Sequence, residues 1–175
     1  MRYFKKLIGE KVYLSPINPD DYEIYTKWMN DPNVTKYLSN HNSFVCLASE
    51  KSFLEKACNE EFILAIVKSD DDTLIGNIGL EDINYKNGTG TLGIFLGEEE
   101  SRGKGYGSEA IKLLTNFAFQ ELHLHNINLD VHDDNERAIK TYQKCGFKEY
   151  GRRHESIFQG GKYKDLIQME LINKD

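Results

Sequence analysis

The segment that most constrains this chain runs from Thr91 to Gly107. Thr91-Leu92-Gly93-Ile94-Phe95-Leu96 has the composition of a strand. Arg102-Gly103-Lys104-Gly105-Tyr106-Gly107 follows it and opens a helix. Glycines let the backbone bend tightly and aim several N–H groups at one point. The helix behind them adds its unsatisfied N-terminal donors and the positive end of its dipole. Strand, glycine loop and helix in that order make a pocket for an anion, most naturally a phosphate.

The glycine spacing narrows the choice of phosphate ligand. A dinucleotide fingerprint needs G-x-G-x-x-G, but the glycines fall at 103, 105 and 107. A P-loop needs four residues between its first glycine and a Gly-Lys-Ser/Thr. Gly97 and Gly103 have five residues between them, and Lys104 is followed by Gly105, with no hydroxyl for magnesium. What remains is Arg-x-x-Gly-x-Gly, carried by Arg102, Gly105 and Gly107. A glycine-rich surface turn ahead of a helix reads the hexapeptide equally well.

The 175 residues are read as one domain over the whole chain, 1–175, with enough length for a sizeable core. Hydrophobic residues make up 39% and charged residues 29%, a balance expected of a folded rather than a disordered chain. The net charge of −6 argues against a broad nucleic-acid surface and fits a small-molecule enzyme or a cationic substrate. Cys46, Cys58 and Cys145 are odd in number and lack C-x-x-C spacing, which argues against a disulfide framework or a zinc module. The start, Met1-Arg2-Tyr3-Phe4-Lys5-Lys6, has no long apolar stretch behind it, so no signal peptide is expected. No apolar run approaches membrane-spanning length, and a cytoplasmic location is the default.

Along the chain, residues 11–17 alternate like a strand, and Pro19-Asp20-Asp21 opens a helix to about Met29. Asp31-Pro32-Asn33 breaks it, residues 33–46 read as irregular, and a second helix is expected over 47–59. Glu61 to Lys68 is an apolar run of strand length, Leu74 to Tyr85 the next strand, and Lys86-Asn87-Gly88 a hairpin turn before Thr89 to Leu96. Ala110, Leu113, Leu114, Phe117 and Ala118 recur at helical spacing over about 105–120. A strand follows at 126–132, then a helix capped by Asp133-Asp134-Asn135-Glu136 and stopped at Gly146. Residues 147–154 and 162–171 form a final hairpin around Gly160-Gly161. The order β-α-α-β-β-β-α-β-α-β-β mixes hairpins with crossover helices, so a mixed α+β or α/β sheet is expected.

The loop is followed by a second pattern. Asn135-Glu136-Arg137-Ala138-Ile139-Lys140-Thr141-Tyr142-Gln143-Lys144-Cys145-Gly146-Phe147 resembles N-x-x-A-x-x-x-Y-x-x-x-G-F, the second signature of the GNAT acyl-CoA N-acyltransferases. With the glycine loop it gives two signatures in the right order and separation. The closer resemblance is to the ribosomal-protein N-terminal acetyltransferase and spermidine acetyltransferase branch. It is carried by Val12-Tyr13-Leu14-Ser15-Pro16-Ile17, by Trp28-Met29-Asn30-Asp31-Pro32-Asn33-Val34 with Tyr37, and by Gly161-Lys162-Tyr163-Lys164-Asp165 with Met169. The fold this implies is a central, mostly antiparallel, twisted sheet flanked by about four helices.

The resemblance also implies a reaction, the direct transfer of an acyl group from coenzyme A to an amine. Acetyl-CoA would be the co-substrate, with no metal. Backbone N–H groups of Arg102, Gly103, Lys104, Gly105, Tyr106, Gly107 and Ser108 would meet its pyrophosphate, and Arg102 and Lys104 would add charge. Its pantetheine arm would pair with Ile94, Phe95 and Leu96, and the N–H of Phe95 or Leu96 would polarise the thioester oxygen. Asn135, Ala138 and Tyr142 fall at i, i+3 and i+7, on one helix face. Small Ala138 would leave room for the cofactor, and Tyr142 would protonate the departing thiolate as general acid. An ordinary half-buried helix tyrosine is the other reading of Tyr142. Arg137, Lys140 and Lys144 form an adjacent basic stripe, facing either the CoA phosphates or solvent. Glu81 and Asp82 are the candidate bases. Strand alternation would allow at most one into the cleft, and solvated strand-edge charges explain both as well.

Five histidines, His41, His123, His125, His132 and His154, form no metal-ligand spacing, and His123-Leu124-His125 reads as a polar turn. Cys145 as a nucleophile would need a histidine partner; a buried structural thiol is the simpler reading. The acceptor region, Ser39-Asn40-His41-Asn42-Ser43-Phe44, lacks the acidic cluster that spermidine acetyltransferases tend to carry there. The partners expected are acetyl-CoA and a primary amine or protein N-terminus, with neither nucleic acid nor membrane, and a homodimer through the final hairpin is open. A non-catalytic CoA-binding sensor on the same fold is the alternative from another class.

Overall fold

The computed structural model describes residues 2–39, 41–60 and 62–174. Met1, Asn40 and Glu61, which the sequence reading touched, lie outside the described residues. The strands are β1 (Leu7–Ile8), β2 (Val12–Pro16), β3 (Phe62–Lys68), β4 (Leu74–Asn84), β5 (Thr89–Leu96), β6 (Asn126–His132), β7 (Lys148–Gln159) and β8 (Lys162–Ile172). The helices are α1 (Tyr22–Met29), α2 (Pro32–Thr35), α3 (Leu47–Glu60), α4 (Tyr106–Gln120) and α5 (Glu136–Lys144). The strands follow the order β1-β2-β3-β4-β5-β6-β8-β7. The pairs β1/β2, β2/β3, β3/β4, β6/β8 and β7/β8 are antiparallel, and β5/β6 is parallel from Thr89↔Asn126 to Thr91↔Asn128. This is the mixed, mostly antiparallel sheet with helices that the sequence predicts.

The chain divides into two compact units. The first holds residues up to Glu81 together with Gly93–Leu114. Its core joins Tyr13, Ile17, Tyr25, Trp28, Met29, Val34, Leu54, Ala65, Val67 and Leu74, and Phe95 packs against it. The elements follow from local chemistry. Asn18 accepts a hydrogen bond from Asp20 N, and Pro19 opens the turn that leads into α1. Tyr25, Trp28 and Met29 then recur at helical spacing and are buried. In α3, Glu50, Leu54 and Ala57 make the buried stripe.

Two elements of this unit were not read from the sequence. Asp31-Pro32 was expected only to end a helix and give way to irregular chain. Instead the Asp31 side chain accepts from Asn33 N, and Pro32 occupies the first turn of α2. The same two residues that stop one helix therefore start the next. The strand β1 has only two residues, Leu7 and Ile8, and Ile8 is exposed. A pair that short has no readable period.

The second unit holds Asp82–Leu92 and the chain from Thr115 onward. Leu124, Ile127, Leu129, Val131, Tyr142, Phe147, Leu166, Ile167 and Met169 are buried there. The Asn135 side chain accepts from Ala138 N at 3.3 Å and caps α5. Gly146, at φ +97°, ends that helix in the left-handed conformation, and Phe147 N donates to Tyr142 O at 3.0 Å. The strand β7 extends to Gln159, beyond the expected 154, and its register shifts twice against β8. At the second shift Glu155 takes φ +50°, and the Asp165 carboxylate accepts from Glu155 N and pairs with His154.

Candidate active site

The glycine loop turns on two left-handed residues. Gly103 and Gly105 have φ +78° and +89°, a region that other residues rarely adopt. Nothing lies within 4 Å of where a side-chain carbon at Gly103 would sit, so the backbone angle is what selects glycine there. Gly107 differs: a carbon there would make ordinary contacts of 3.8 Å with the Cδ1 atoms of Ile94 and Leu96. The Ser108 hydroxyl donates to Gly105 O at 2.9 Å and fixes the first turn of α4. The early N–H groups of that turn have no acceptor within the helix.

Arg102 departs from its expected part. Its guanidinium donates to Leu96 O at 3.2 Å and to Asn33 O at 3.4 Å. It ties the loop to the end of β5 and to α2. Lys104 is exposed.

The strand β5 has two working faces. Ile94 and Leu96 face Gly107. Phe95 faces the other way, edge-on to Tyr25 and Trp28 with centroids 6.2 and 5.9 Å apart. Glu81 Oε1 comes 3.9 Å from the position of a side-chain carbon at Gly93. Gly93 and Phe95 share a face, so the Glu81 carboxylate lies on the Phe95 side of the strand. Asp82 was expected to continue the alternation of β4. Its φ of +49° interrupts the regular pleat, so alternation does not decide between the two acids.

Trp28 and Gly97 shape the entry to the loop. A carbon at Gly97 would fall 2.1 Å from Trp28 Cε2. The indole N–H donates to Glu98 Oε1 at 2.9 Å, and Lys27 reaches the same oxygen. These bonds, the indole first, hold the Glu98 carboxyl below its ordinary range. Glu50 is 6% exposed, and burial raises its carboxyl.

On α5, Tyr142 is 9% exposed, its ring 5.9 Å from Phe147. Burial, and then the nearby Cys145, push its phenol up to about 12. Ala138 and Tyr142 are four residues apart on the helix, and Asn135 serves as its cap rather than as a member of its body. Arg137 is exposed, and Lys140 pairs with Glu136 at 3.3 Å. Cys145, expected to be buried, is half-buried at the helix end.

Residues 94–96, 102–108 and Glu81 thus belong to the first unit, and Asp82, Asn135, Arg137, Ala138 and Tyr142 to the second. Among the described residues no group of three His, Cys, Asp or Glu could hold a metal ion, and no helix is long and apolar enough to cross a membrane. Sequence reasoning missed Lys11 and Glu109, which meet beside the loop. The Glu109 carboxylate accepts from Glu10, Lys11 and Val12 N, and Lys11 Nζ donates to Lys104 O. Gly9, ahead of β2, was the one signal of that contact.

Comparison with known proteins agrees with this architecture. The model of the acetyltransferase (GNAT) domain matches residues 11–148, and the chain belongs to that family of acetyl-CoA-dependent acyltransferases. It is 26% identical to the uncharacterized N-acetyltransferase p20 of Bacillus licheniformis over 97% of each chain. It is 33% identical to the spermidine N(1)-acetyltransferase of Vibrio cholerae over 61% of each. The crystal structure of the V. cholerae spermidine N-acetyltransferase in complex with CoA and spermine aligns with a TM-score of 0.82 at 25% identity, covering 94% of this chain and 96% of that one. An acetyltransferase of the GNAT family from Bacillus anthracis aligns at 0.83 with 19% identity, over 95% of this chain and 97% of that one.

Proposed function

We propose that this chain moves an acetyl group from acetyl-CoA to a primary amine, either a small-molecule amine or a protein N-terminus, with Tyr142 as general acid. The observation that carries the reading is the pair of left-handed glycines, 103 and 105, set directly ahead of α4. That cradle and the helix N-terminus suit a diphosphate.

When bound, acetyl-CoA supplies an activated thioester carbonyl. The chain's own groups do the remaining work. The N–H groups of residues 103–108 hold the diphosphate, and the exposed Lys104 and Arg137 add positive charge. Arg102 braces the loop from behind through Leu96 O and Asn33 O. Ile94, Phe95 and Leu96 offer backbone groups to the pantetheine amides, and the N–H of Phe95 or Leu96 is aimed at the carbonyl oxygen. Ala138 presents only a methyl group toward the cofactor.

Glu81 is the stronger candidate to take the proton of the amine, directly or through water, because it lies on the Phe95 face of β5. Asp82 is the second candidate. Tyr142 keeps its proton at neutral pH because burial raises its phenol. It is therefore a donor to the sulfur.

The acceptor is not confined to a polyamine. The segment from Ser39 to Cys46 has no acidic residue. The spermidine acetyltransferases among the relatives support an amine of some kind.

The test is a thiol-release assay with acetyl-CoA and a panel of acceptors: spermidine, an aminoglycoside, free amino acids and a peptide with a free N-terminus. We expect turnover with at least one primary amine and an N-acetyl product by mass. Tight CoA binding without turnover on any amine would favour a sensor instead. Turnover with hydroxyl acceptors alone would contradict the reading.

A further inference from the structure

Lys11 lies in the turn between β1 and β2, distant in sequence from the glycine loop. Its Nζ nevertheless donates to Lys104 O at 3.0 Å. A side-chain carbon at Gly105 would lie 3.2 Å from the same nitrogen. The ammonium is thus stationed against Lys104 and Gly105 of the loop.

The placement is built. Glu109, in the first turn of α4, turns its carboxylate onto the β1–β2 turn. It accepts hydrogen bonds from Glu10 N at 3.1 Å, Lys11 N at 2.8 Å and Val12 N at 2.8 Å. Gly9 N closes the turn by donating to Val12 O at 2.9 Å. Gly9 also leaves the necessary space, since a carbon there would fall 2.7 Å from Glu109 Cδ. A bare carboxylate beside the loop would repel a phosphate. Here three N–H donors engage it, and it is used to hold a cation in place.

An ammonium carries three donors. One goes to Lys104 O, and the side chain is exposed, so the others remain for an anion at the loop. We propose that Lys11 is a further ligand of the acyl donor's diphosphate, delivered to the glycine loop by the Glu109 carboxylate. This rests on the acetyl-CoA reading above and adds to it a binding residue from outside both signatures.

Lys11→Met and Lys11→Arg are compared with the wild-type chain by calorimetric titration with CoA and with dephospho-CoA, at several salt concentrations. Lys11→Met is expected to weaken CoA binding on the order of tenfold, the loss of one charged hydrogen bond. Lys11→Arg should recover most of it. The wild-type affinity should fall more steeply with salt than that of Lys11→Met. Dephospho-CoA should show the same loss as CoA, because it retains the diphosphate. Wild-type CoA binding that Lys11→Met leaves at full strength would overturn the proposal alone, as would a loss that dephospho-CoA does not show. Failure of the wild-type chain to bind CoA at all would overturn the acetyl-donor reading together with it. A thermal melt of each variant separates loss of the ligand contact from loss of the fold.

Discussion

The proposed general acid is a single phenol, that of Tyr142. Its raised value, about 12, means that it stays protonated wherever acetyl transfer is assayed. The sign for stability follows: the folded chain keeps this proton when the unfolded chain loses it. The effect is absent below the ordinary tyrosine value, about 10. Stability then falls as pH rises from there through about 12. The rate should rise with pH as the amine loses its proton, with no falling limb from this phenol below about pH 10. Tyr142→Phe should lower kcat/KM by about 10- to 1000-fold, with a melting temperature close to wild type. A variant with full activity would remove Tyr142 from the mechanism. Its place on one helix face with Ala138 was legible because both lie in one short segment, and its proposed role rests on the resemblance to the second signature. Lys11 and Glu109 were not legible, because 98 positions separate them and only the folded chain brings them together.

Among the elements, the junction of β5 with the loop is tightly packed. Gly97 N donates to Ile75 O at 2.9 Å, and its missing side chain is replaced by the Trp28 ring. Trp28 is 1% exposed and sits edge-on to Tyr25 and Phe95, so it has little room to yield. Gly97→Ala should therefore cost about 1–3 kcal/mol through overpacking. That corresponds to a drop of roughly 2–12 °C in melting temperature, measurable by calorimetry. An unchanged melt would show that the ring can move aside. The sequence marked Gly97 only as a failed P-loop glycine, since no local pattern reveals which ring covers it. The longer elements were readable from their periods and caps. Those that escaped are short, as β1 and α2 are.

Across the whole molecule, the proposed phosphate site is a local reversal of charge. The net charge is −6, and Glu98, Glu99 and Glu100 lie just ahead of the loop, with Ser101 between. In the proposed complex the loop meets this acidity with backbone dipoles and with the exposed cations Lys104 and Lys11. Glu98 is engaged by Trp28 and Lys27, and Glu109 by the β1–β2 turn. Composition could announce only the overall sign, because which charges are compensated depends on the folded partners. The strand–loop–helix passage was visible at once, because glycine spacing and a helix start are local properties of the chain. The most direct test of that passage follows backbone amide exchange across the chain as acetyl-CoA is added to saturation. The account predicts shifted or protected amides concentrated at residues 94–96 and 103–108, with a stabilisation of about 2–4 kcal/mol at ligand far above its Kd. Saturating acetyl-CoA that left those amides and the stability unchanged would contradict it.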